Sequence, residues 1–139
     1  MGRPSDYSLE LAARICERLA DGESLKAICS ADDMPNKATV YLWLTKHPEF
    51  SDMYARARED QADTLADEII EIADDSRRDT ITDERGNEVC NTEWINRSRL
   101  RVDARKWIAA KLKPRKYGER VDHTLAVNPI EMTINLEPR

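Results

Sequence analysis

The sequence predicts a mainly α-helical protein: a helix-turn-helix at the N-terminus, a hairpin of two long helices in the centre, and a short β segment at the C-terminus. Three observations predict it. Apolar residues recur every three or four positions through most of residues 9–112. Gly22, Met34-Pro35 and His47-Pro48 cut the first 48 residues into three short helical stretches. Residues 130–137, by contrast, alternate strictly between apolar and polar. The expected division is 1–48, 49–120 and 121–139.

The first helix is expected over residues 9–20, where Leu9, Ala12, Ala13, Cys16, Leu19 and Ala20 fit one apolar face. Ser8 is its N-cap and Gly22 its stop. The second helix is expected over 24–32, capped by Ser24, with Leu25, Ile28 and Cys29 inward. The third is expected over 36–46, with Val40, Trp43 and Leu44 inward. Two short helices joined by a tight turn, preceded by a third, have the arrangement of a helix-turn-helix.

Charge sets the third helix apart. The 139 residues include 27 acidic side chains, yet residues 34–48 contain none. A helix that approaches phosphate must clear carboxylates from its face, because like charges repel there. The candidate nucleic-acid contacts are Asn36, Lys37, Thr39, Tyr41 and Lys46. Asn pairs with adenine in two hydrogen bonds, Lys reaches guanine, and Tyr touches the backbone. Arg3, in the short basic start Gly2-Arg3-Pro4, is a candidate for a narrow minor groove. The competing readings are a small core bundle for the helices and a disordered start for the arm.

Residues 49–77 read as one long helix, with Phe50, Met53, Tyr54, Ala57, Gln61, Leu65, Ile69 and Ile72 on one stripe. Such a stripe needs a partner helix. Residues 94–112 offer Ile95, Leu100, Ala104, Trp107, Ile108 and Leu112. The connector holds the turn signal Asp83-Glu84-Arg85-Gly86-Asn87-Glu88, which closes a hairpin of 80–82 against 88–90. Residues 49–96 carry net charge −10 and residues 97–120 carry +8. The basic segment therefore reads as compensation for the acidic helix, or else as a second nucleic-acid surface. In the last segment Ile130, Met132, Ile134 and Leu136 lie on one face of a half-buried strand entered after Pro129. A lone strand leaves both edges open, so its partners are expected from other copies of the chain.

Several classes of function find no support. The four glycines are isolated, so no phosphate-cradling loop is present. His47 and His123 are far apart, and Asp32-Asp33 and Asp74-Asp75 read as solvated helix ends, so no metal site is expected. Cys16, Cys29 and Cys90 form no Cys-x-x-Cys pair; free thiols suit a reducing compartment. Neither a membrane span nor a secretory signal is expected. No catalytic residue, enzyme activity or cofactor is expected. A chain this short leaves much of its surface exposed, which makes self-association a source of further burial.

The stretches GRPSDYS, GESLKAICSADDMPNKATVYLWLTKHPEF, YARARED, QADTLADEIIEIADD and RSRLRVDARKWIAAKLKPRKYGER together resemble the small subunit of a tailed-phage terminase, of the kind found in headful-packaging podoviruses. The resemblance covers roughly residues 1–120. It implies a protein that recognises a packaging site in double-stranded viral DNA in the host cell cytoplasm. It implies a partner, the terminase large subunit, which is the ATP-driven motor and nuclease. It also implies a ring of identical chains, read here as eight. Carried onto this sequence, 36–46 is the recognition helix and 49–112 the ring-forming hairpin, with Leu65, Ile69, Ile72, Leu100, Trp107 and Ile108 joining copies. The strand with Ile130, Met132, Ile134 and Leu136 forms an intersubunit barrel. Position 42, commonly basic in such helices, is Leu42. The alternatives are a helix-turn-helix transcription regulator or transposase-like DNA-binding protein, commonly dimeric, and an accessory to a metal-dependent nuclease.

Overall fold

The computed structural model describes residues 2–119. The element order is α1 (Leu9–Ala20), α2 (Leu25–Cys29), α3 (Lys37–Lys46), α4 (Pro48–Asp74), β1 (Thr80–Thr82), β2 (Glu88–Cys90), α5 (Thr92–Leu112) and α6 (Pro114–Tyr117). The expected strand carrying Ile130, Met132, Ile134 and Leu136 lies outside the described residues.

Local chemistry explains the boundaries. Ser8, Ser24, Asn36 and Asn91 each accept a hydrogen bond from a backbone N–H in the first turn of α1, α2, α3 and α5. α1 ends in a Schellman motif: the Glu23 N–H donates to the Arg18 carbonyl and the Gly22 N–H to the Leu19 carbonyl. Gly22 takes the left-handed conformation this requires, with φ 106°. α2 is shorter than expected, because turns replace helix after Cys29. Pro48 opens α4, where the missing N–H costs nothing.

The N-terminal core comprises Leu11, Ala12, Ile15, Cys16, Leu19, Leu25, Ile28, Cys29, Met34, Val40, Trp43, Phe50 and Ala57. The expected face of α1 needs correction. Leu11 and Ile15 are buried, whereas Leu9 and Ala13 face solvent and Ala20 is half-buried. The apolar set at 9, 13 and 20 runs along the edge of the stripe, and the packing centre falls between 11 and 19. The core also crosses residue 48: Phe50 is fully buried against Trp43 and Tyr54, with ring centroids 6.4 and 5.9 Å away.

α4 is held to the end of α1 and the connection after it by polar contacts as well. Its Gln61 Nε2 donates to the Glu23 carbonyl at 2.8 Å, and Thr64 Oγ1 donates to the Ala20 carbonyl at 2.6 Å. These satisfy carbonyls that the end of α1 leaves open. Further along, α4 packs against α5. The hairpin joining them has the expected register, with Thr80 opposite Cys90, Ile81 opposite Val89 and Thr82 opposite Glu88. Asp83 closes its turn by accepting from the N–H groups of Arg85 and Asn87, and Gly86 sits at φ 82°.

Burial pushes the Cys16 thiol up to about 11, so it stays protonated at neutral pH. The expected result of thiol labelling in the native state is one fast-reacting cysteine, exposed Cys90, with Cys16 and Cys29 protected until unfolding. Phe50→Ala removes a ring shared by α3, α4 and the N-terminal segment, and is expected to cost about 3–5 kcal/mol in urea unfolding. A loss below about 1 kcal/mol would mean that the start of α4 is not part of the N-terminal core.

Candidate nucleic-acid interface

Helix α3 presents one face outward. Val40 and Trp43 are buried, and the Tyr7 ring packs edge-on to Trp43 at 5.5 Å and stacks on His47 at 3.7 Å. Thr39 and Leu44 are half-buried, and the six exposed side chains form a continuous arc: Lys37, Tyr41, Thr45, Ala38, Leu42 and Lys46, in order around the helix. The two lysines border the arc on opposite sides. Its centre holds methyl groups, a hydroxyl and a phenol ring. No carboxylate belongs to it. Lys37 Nζ lies 6.0 Å from the centroid of the Tyr41 ring.

The expected contact residues divide into two sets. Lys37, Tyr41 and Lys46 are on the exposed arc. Asn36 and Thr39 are engaged at the helix start: Asn36 Oδ1 accepts from the Thr39 N–H at 2.9 Å and from Thr39 Oγ1 at 3.0 Å. Asn36 therefore orders the helix, and an adenine contact through both amide groups requires breaking that cap. Arg3 is not a loose arm. Its guanidinium donates to the carbonyls of Cys29, Ala31 and Met34, across the turn between α2 and α3. Those carbonyls belong to the last residue of α2 and to the turn after it, where carbonyls lack helical i→i+4 partners, so a fork of N–H donors is drawn there. Ala38, Leu42 and Thr45 share the arc with the lysines; their spacing of four and three residues from one another was the signal for it.

The central hairpin carries the charge division seen in the sequence. Asp63 gathers Lys113 Nζ at 3.0 Å, Lys116 Nζ at 3.1 Å and the Tyr117 hydroxyl at 2.6 Å. Arg105 pairs with Glu68 at 2.7 Å. The basic segment thus compensates α4 in part. Among the described residues, Arg97, Arg99, Arg101, Lys106, Lys111 and Arg115 form no ion pair.

The two long helices expose side chains of opposite charge. On α4, Glu59, Asp60, Asp67, Ile70, Glu71 and Asp74 are exposed, and no basic residue occurs between 59 and 74; Glu71 and Asp74 line a cleft with Trp94, Ser98 and Arg101 of α5. On α5, Arg97, Leu100, Arg101, Trp107 and Lys111 are exposed, with Asp103 beside them. Leu100 is 63% and Trp107 64% exposed, unusual for side chains this apolar. Lys111 lies over the Trp107 ring at 5.5 Å. Of the residues expected to join copies, Leu100, Trp107 and Ile108 are exposed, Ile69 and Ile72 are half-buried, and Leu65 is buried within its own chain.

Among the described residues no helix is long and apolar enough to cross a membrane, and no cluster of His, Cys, Asp or Glu is placed to hold a metal ion. The fold is that of a helix-turn-helix followed by a long, strongly charged helical hairpin. The family model for "Bacteriophage Sf6, terminase small subunit-like" matches residues 7–124. The chain belongs to that family. Three crystal structures of variants of the terminase small subunit gp1 of the bacterial virus Sf6 are similar to it. Each shows 46% identity and a TM-score of 0.68, over 85% of this chain and 82% of the other. No curated protein matches the chain.

The contacts at Asp63 give a pH signature. The Tyr117 hydroxyl and the Lys113 and Lys116 ammonium groups hold its carboxyl well below the usual carboxylate range. A depressed folded pKa contributes stability above the unfolded value of about 3.9, and loses it as pH falls toward the folded value. Asp63→Asn is therefore expected to be less stable than the parent by a constant margin between pH 5 and pH 8. The margin closes on acidification below about pH 4. Urea denaturation across that range checks this, and a margin unchanged in acid would show that Asp63 does not anchor α6.

Proposed function

We propose that this chain is the DNA-recognition component of a phage genome-packaging machine. It binds double-stranded viral DNA through α3 and catalyses no reaction itself. It assembles with copies of itself into a ring and recruits the terminase large subunit, the motor and nuclease, in the host cell cytoplasm. The observation that carries the DNA reading is the α3 arc: acid-free, exposed, bordered by Lys37 and Lys46, on the second helix of a helix-turn-helix. Family membership supports the rest.

The hairpin edges favour a ring over the isologous dimer of a transcription regulator. An acidic α4 edge with Ile70 and a basic α5 edge with Leu100 and Trp107 are complementary to each other and not to themselves. Contact between unlike surfaces is heterologous, and such contacts close into rings when the rotation permits. Several weak DNA-binding modules on one ring then act together.

A single module neutralises few phosphates, since residues 1–48 hold six basic and seven acidic side chains. With about three phosphate contacts per module, the slope of log affinity against log salt is expected near −2.7 per module. Lys37→Glu should weaken binding to a mixed-sequence duplex in fluorescence anisotropy and make that slope shallower by about one unit per module. Assembly size should stay the same. Unchanged DNA binding would remove α3 from the interface and with it the reading of this helix.

A further inference from the structure

We infer that α3 reads thymine methyl groups in the major groove, with Leu42 as the principal contact. The inference rests on the proposal that α3 enters duplex DNA.

The geometry of the arc separates two jobs. Lys37 and Lys46 stand at its two borders, where a helix lying in the major groove meets the two phosphate strands. The centre, which faces the base edges, consists of Ala38, Tyr41, Leu42 and Thr45. Leu42 is 48% exposed and Tyr41 49%, so neither is spent on the protein's own core. Thr45 Oγ1 already donates to the Leu42 carbonyl at 2.7 Å. Asn36 and Thr39 are tied to the cap of the same helix. The centre therefore holds no Arg, Gln, Asp or Glu, and no free amide, with which to pair to a guanine, adenine or cytosine edge.

What it does present is methyl groups. Among the four bases only thymine offers an apolar group in the major groove, its 5-methyl. A leucine flanked by an alanine four residues before it is matched to that group and to no hydrogen-bonding edge. Covering one methyl gives about a four-fold gain in affinity. Preference then arises from contact with thymine at the centre, and total affinity from the lysines at the borders.

The test uses the full chain and two duplexes of equal length, alternating dA-dT and alternating dA-dU. They carry the same phosphates and the same hydrogen-bonding groups, and differ in the 5-methyl. The expected result is binding at least about four-fold tighter to the dA-dT duplex. Leu42→Ala, at a half-exposed site and with helical circular dichroism unchanged, should bring the two affinities together at the dA-dU level. Equal affinity of the parent protein for both duplexes overturns the inference while leaving DNA binding intact. A preference that survives in Leu42→Ala also overturns it. Binding to neither duplex overturns the proposal about α3 on which it rests.

Discussion

Helix α4 is the member on which the rest of the molecule is built. Its first turns complete the core of the N-terminal unit through Phe50 and Ala57. Its middle closes the end of α1 through Gln61 and Thr64. Its far half is the surface on which α5 lies. No glycine or proline interrupts it after Pro48. A continuous helix of 27 residues spans about 40 Å, so the face of α3 and the edges of the hairpin are held in one rigid frame. A DNA-binding unit joined by a soft linker would search independently of its neighbours. One fixed to the assembly scaffold is presented at a set position, which suits simultaneous contact by several modules.

The charge division follows from the same frame. An acidic helix cannot lie beside another acidic helix at low cost, and the basic segment answers it with Arg105 of α5, Lys113 at its end and Lys116 of α6. Those pairs use only Asp63 and Glu68. Among the described residues, the α4 carboxylates Glu59, Asp60, Asp67, Glu71 and Asp74 and the α5 cations Arg97, Arg99, Arg101, Lys106 and Lys111 form no ion pair. They are exposed, so each ion pair they make with another copy is worth little alone and is weakened by salt. Ile70 on one edge and Leu100 and Trp107 on the other supply apolar area that salt does not screen. Assembly through these edges therefore combines an orienting electrostatic part with a hydrophobic part.

Much of this was legible in the sequence, and the exceptions have physical causes. The caps Ser8, Ser24 and Asn36, and the turn at Asp83–Asn87, act through residues next to them in the chain, so local patterns reveal them. The period of the apolar stripe located α4 and α5, but the face expected to pack on α4 was wrong for α5: Leu100, Ala104, Trp107 and Ile108 are exposed, while Val102 is half-buried and Ala109 buried. The same period placed the face of α1 at its edge, because Leu9 and Ala13 satisfy the same spacing as Leu11 and Ile15, and only packing against α4 chooses between them. Arg3 read as an arm because its partners, the carbonyls at and just after the end of α2, lie 26 to 31 residues away. Asn36 read as a base contact although its side chain caps the helix, since one residue type serves both purposes. Leu65 follows the stripe that joins helices, but periodicity does not tell a partner within the chain from one in another copy.

The central claim is that unlike edges of one rigid hairpin carry copies of this chain into a closed ring that presents α3. Native mass spectrometry of the full chain tests it most directly. The account predicts one dominant species of several copies, eight by the family resemblance, which loses subunits as Trp107→Glu or Ile70→Lys is introduced. A monomer, or a dimer indifferent to both substitutions, would contradict it.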